Sequence, residues 1–156
     1  MRTKIREVEK VGKIFKISGN FAVDGKWTCT GNLFEGEIVL SDDNTFCGFC
    51  SEQDAAGETN ISSISGIYTS SEKHGRKSLS FFKSASGSNK QPIICSIPDP
   101  SISMYGTWGV CEKKKYKQLG KAKVLITECP YSAQSEQHIR NNYDRITNLN
   151  PVAAIS

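Results

Sequence analysis

Two cysteines separated by two residues, Cys47-Gly48-Phe49-Cys50, form the sharpest chemical pattern in this chain. A Cys-x-x-Cys pair does dithiol redox chemistry when its first thiol is exposed at a helix N-terminus, where the helix dipole lowers its pKa. The residues that follow, Ser51 to Gly57, do not make a long amphipathic helix. In a strand, Cys47 and Cys50 would point to opposite faces. The expectation is therefore two cysteines in a core strand, with a thiol redox enzyme using Cys47/Cys50 as the alternative. Zinc needs about four converging ligands, usually in paired clusters. The remaining cysteines are scattered, and His74 and His138 lie far apart. His74 reads as a solvated turn residue and His138 as a surface or boundary residue on a helix. No metal and no cofactor is expected. Neither a Gly-x-Ser-x-Gly elbow nor a His-Glu-x-x-His helix is present, so nothing local supports a hydrolase.

The second chemical feature is basic. Lys113, Lys114, Lys115, Lys117, Lys121 and Lys123 crowd around Tyr116. Such a cluster grips phosphate or an acidic partner, or it simply solvates a hairpin and discourages edge-to-edge pairing. The third feature is aromatic. Trp27, Phe46, Phe81 and Trp108 fall on strand-like stretches beside Gly48, Gly66 and Gly106. Large beside small suits a tapered barrel interior, and these four residues are the expected ligand contacts.

The elements that must position these groups are short. Trp27–Gly31, Glu37–Leu40, Thr45–Cys50, Ile61–Thr69, Ser78–Lys83, Pro92–Ile97, Met104–Val110 and Lys121–Cys129 are rich in β-branched and aromatic residues, with Gly, Asn, Asp and Ser between them. Eight short strands in series predict an antiparallel meander, and closure into a barrel of roughly eight strands removes its edges. Lys13–Ile17 adds a short strand ending at Ser18-Gly19-Asn20. Residues 1–12 read as a short helix or an edge strand, and residues 51–60 as a polar loop. Past Pro130, Ile139, Tyr143 and Ile146 recur at helical spacing, which predicts one amphipathic C-terminal helix over about 133–147 capped by Ser132. The tail Asn150–Ser156 should fray or dock weakly.

The chain has 156 residues, 37% hydrophobic and 23% charged, with a net charge of +4. That predicts a single domain, 1–156, able to build one core without staples. The charge is too mild to demand a nucleic-acid partner. No apolar run approaches a membrane span, and the charged opening Met1–Lys10 lacks the apolar core of a signal peptide. Six cysteines are then expected as reduced, mostly buried thiols in the cytoplasm.

Asn20-Phe21 followed by Gly25-Lys26-Trp27 resembles the opening signature of lipocalins, and Gly-Lys-Trp-Thr also resembles the opening of avidin-type barrels. Both belong to the calycin group of up-and-down barrels that hold small apolar ligands. The resemblance implies that Trp27 plugs one end of the barrel, with Lys121 or Lys123 as its partner; as the residue that opens the first strand of a closed barrel, it should be buried and touch the last strand around Val124 or Ile126. The expected function is non-enzymatic binding of one small apolar or aromatic molecule inside the barrel. The alternative is a solid-core interaction module that works through the basic hairpin.

Overall fold

In a computed structural model, residues 12–53, 56–71, 76–85, 91–100 and 102–149 are described. The readings of residues 1–11, His74 and the tail from 150 onward lie outside them, as does the turn expected from Ser86-Gly87-Ser88-Asn89. The strands are β1 (Lys13–Val23), β2 (Lys26–Trp27), β3 (Phe34–Leu40), β4 (Thr45–Gln53), β5 (Thr59–Ser71), β6 (Arg76–Ala85), β7 (Ile93–Ile97), β8 (Tyr105–Glu112) and β9 (Lys115–Cys129), followed by helix α1 (Ala133–Leu149). Every pairing is antiparallel, in the order β1-β3-β4-β5-β6-β7-β8-β9. β9 returns to β1, from Ile14 opposite Cys129 to Phe21 opposite Ala122. That pairing closes an eight-stranded barrel. The two-residue β2 folds back on the end of β1.

The barrel and its helix match the expected architecture, but the first barrel strand is a different segment. It is Lys13–Val23, which runs straight through the expected turn at Ser18-Gly19-Asn20. Gly19 is needed in the strand because a Cβ there would run into the Lys123 carbonyl oxygen and come within 2.8 Å of the Phe34 ring. Asn20 stays because its amide Nδ2 donates to the carbonyls of Cys29 (2.7 Å) and Gly31 (3.0 Å). Its turn-forming side chain ties down the next loop instead of bending its own backbone. Residues 28–31, expected as strand, are that loop. β4 and β5 also reach farther than expected, to Gln53 and from Thr59, which shortens the polar loop between them.

Alternation sorts the side chains. Phe15, Ile17 and Phe21 of β1, Phe34 and Ile38 of β3, Phe46 and Cys50 of β4, Ile64 of β5, Leu79 and Phe81 of β6, Cys95 and Ile97 of β7, and Ala122 and Val124 of β9 form the buried interior. A second, smaller core lies outside the wall, where Ile139 of α1 packs on Ile14 and Val39 beside Cys47, Phe49 and Cys129. Ser132 caps α1 as expected, its hydroxyl accepting from the Ser135 amide at 3.0 Å. Ile139 and Ile146 are buried and Tyr143 is half-buried. Among the described residues no helix is long and apolar enough to cross a membrane.

Two tight hairpins use residues with positive φ. Asp24 (53°) and Gly25 (79°) join β1 to β2, and Lys113 (49°) and Lys114 (66°) join β8 to β9. Two consecutive positive φ values suit the twist of a two-residue hairpin, where Asn-Gly or Asp-Gly is the usual choice. The first hairpin follows that preference and the second does not.

Candidate functional site

On β4 the inward positions run Phe46, Gly48, Cys50, Glu52; on β6 they run Leu79, Phe81, Lys83. Each apolar series ends in a charge at the same end of the barrel. Lys83 is 6% exposed and Glu52 is 23% exposed, and the two form an ion pair across β5. The Lys83 ammonium also lies 5.9 Å from the centre of the Phe34 ring. Phe34 stacks on Phe21 at 5.4 Å, and Phe21 packs on Trp108 at 5.5 Å. A row of aromatic contacts thus joins Trp108, Phe21 and Phe34 to the ion pair at this end of the barrel. Ser62 and Cys50 are buried beside it. Burial pushes the Cys50 thiol up to about 12, against the pull of the nearby Lys83 charge.

Glu52 also lines a cleft of about 630 Å³ at that end of the barrel. Thr28, Thr30, Asn32 and Leu33 come from the loop that Asn20 holds, Glu35 from the start of β3, and Thr59 from β5. The lining is mostly hydroxyl, amide and carboxylate, with Leu33 connecting to the apolar interior. A smaller cleft of about 390 Å³ lies at the opposite end, beside the start of α1. There Glu136 accepts from Arg140 Nε and from the Tyr131 hydroxyl, both at 2.8 Å. The Arg140 bond is the main reason its carboxyl sits below the usual range. That network joins α1 to the Tyr131 turn, and Arg140 reaches on to Ser41 at 3.3 Å.

The expected ligand residues divide. Phe46 and Phe81 are buried inside, edge to face at 6.4 Å. Trp108 points inward and donates its indole N–H to the Ala22 carbonyl at 2.8 Å. Trp27 does not join them. It is 40% exposed on the outer face, 6.0 Å from Tyr105, because β2 turns it away from the interior. The inward position at the β1–β9 seam expected for Trp27 is taken by Trp108, which sits opposite Gly120. Lys113, Lys114, Lys115 and Lys117 are all exposed on the β8–β9 hairpin.

Cys47 faces α1 and Cys50 faces the interior, so the pair cannot meet across their strand. None of the six cysteines is in a disulfide; Cys29 and Cys111 are exposed rather than buried. Among the described residues no three His, Cys, Asp or Glu side chains converge as a metal site.

Lys83 and Glu52 were not among the sequence candidates. The signal was parity: each sits two residues beyond an inward residue, Phe81 and Cys50. The adjacent Phe81-Phe82 pair blurs that parity in β6, since Phe82 is the outward residue.

No family model, no characterised protein and no solved structure matches this chain.

Proposed function

We propose that this is a non-enzymatic, calycin-like barrel that binds one small molecule at its mouth, against the Lys83–Glu52 pair. The pair carries the reading. A buried ion pair is a poor source of stability, because desolvation offsets most of its attraction, and well-packed apolar residues often do as well. Its neighbours on the inward face are mainly apolar, with Phe34, Ile64 and Cys50 beside the one serine Ser62, so another apolar pair would serve the core. A cleft with a few convergent polar groups is the usual form of a ligand site. The polar lining shifts the ligand from the apolar molecule expected from sequence to one bearing hydrogen-bonding groups, with its apolar part over Leu33. Free thiols fit a reducing compartment such as the cytoplasm.

The test is a thermal-shift screen with small amines, carboxylates and polyols. A ligand at a hundred times its Kd adds about 2.7 kcal/mol, which raises Tm by several degrees. The expected result is a shift that is lost in Glu52→Gln and kept in Trp27→Ala. Shifts that survive Glu52→Gln, or no shift from any class, overturn the reading.

A further inference from the structure

We propose that the outer face of β2, β8 and β9 docks an acidic protein segment carrying apolar side chains. Because Gly106, Trp108, Ala122 and Val124 face inward, Tyr105, Lys121, Lys123 and Leu125 face outward. Tyr105 lies opposite Lys123, and Thr107 opposite Lys121. The Trp27 ring reaches Tyr105 from the far side of β9. Trp27, Tyr105 and Leu125 are all 40–51% exposed, and Tyr116 and Leu119 extend the apolar surface along the hairpin. Large exposed apolar side chains gathered on one face mark an interaction surface.

The charge says what kind of partner fits. From Tyr105 to Leu125 there are six lysines and one acid, Glu112. Glu112 pairs with Lys117 at 3.9 Å, and among the described residues no other ion pair engages these lysines. Two of them occupy the positive-φ positions of the hairpin, where Asn-Gly would be relaxed. Backbone strain kept at a site points to use of the side chains it holds. Aromatics belong at the centre of protein interfaces, and surrounding lysines speed encounter with an acidic partner. A single nucleic-acid strand is a poorer fit. Its bases need a free stacking face and its phosphates gain nothing from Leu125, whereas Trp27 already packs against Tyr105.

This surface is independent of the mouth, and so is its test. A labelled 15-residue peptide of Glu with two Leu and one Phe is titrated by fluorescence anisotropy, alongside a version with Lys for Glu and a 15-mer of thymidylate. The Glu peptide should bind, and affinity should fall at least tenfold between 50 and 300 mM salt. Trp27→Ala and the pair Lys121→Glu/Lys123→Glu should each weaken it at least tenfold. Lys113→Asn/Lys114→Gly should weaken binding while raising Tm, a combination a purely structural role does not produce. Lys13→Glu, at the other end of β1, and Glu52→Gln should leave binding unchanged. Equal binding of the Lys peptide, tighter binding of the oligonucleotide, or no effect of Trp27→Ala in a protein of unchanged Tm overturns the proposal.

Discussion

Trp27 and Trp108 sit in near-identical triplets, Gly25-Lys26-Trp27 and Gly106-Thr107-Trp108, yet they occupy opposite faces of the same stretch of wall. Trp108 lies inside the β1–β9 seam, bonded to Ala22 and packed on Phe21. Trp27 lies outside it, resting on Tyr105. What separates them is register. Trp108 takes an inward position of a strand paired on both sides, while Trp27 ends a two-residue strand hung on the rim. A ring becomes part of a core only when the sheet around it fixes which way it points.

The sharpest way to break this comparison is to remove each ring. Trp108→Ala should cost about 3–5 kcal/mol through lost burial and the cavity left at the seam, measured by urea unfolding. A loss below about 1 kcal/mol would mean the seam does not depend on it. Lys83→Ala comes next. It strands the Glu52 carboxylate, which still reaches solvent, so the cost should be about 2–3 kcal/mol, under the 3–5 typical of fully buried pairs. The double variant Lys83→Met/Glu52→Leu should recover most of that loss.

The inside and outside of the wall should also differ in thiol chemistry. At pH 8 iodoacetamide should label Cys29 and Cys111 in the native protein and spare Cys50 and Cys95, read by mass spectrometry. Burial raises both inner thiols from 9.0 to about 12. Their raised folded pKa gives stability that is complete below pH 9 and lost as pH rises from 9 toward 12, by about 1.4 kcal/mol per pH unit for each thiol. Cys95→Ala should flatten that alkaline slope, whatever it does to stability at pH 7. The smallest effect belongs to Trp27→Ala, which should change stability by less than about 1 kcal/mol, as surface changes usually do. A loss as large as that of Trp108→Ala would erase the distinction between the two faces.

The strand rhythm and the amphipathic stripe of α1 were legible because both are local periodicities. The place of Trp27 was not. Its triplet reads the same as that of Trp108, and the Ser18-Gly19-Asn20 stretch looks like a turn although it is barrel strand. The site at the mouth was legible only in halves. Alternation puts Glu52 and Lys83 inward, but they come from strands with β5 between them, and no spacing in the chain announces their meeting. In β6 the outward residue is Phe82 and the inward one Lys83, the reverse of what hydropathy suggests. The loop that forms the rim depends on Asn20, whose amide serves residues about ten positions away.

The seam between β1 and β9 also sets a schedule. During synthesis the first barrel strand emerges and must wait for roughly a hundred further residues before its final neighbour exists, about 5–20 s at ordinary translation rates. Through that interval one edge of β1 has no partner, and the interior faces water along an open slot. Closure is then a long-range event, slow for a chain of this size. A ribosome stalled before Lys115 would hold a curled, unsealed sheet, and release of the last strand would act as the latch.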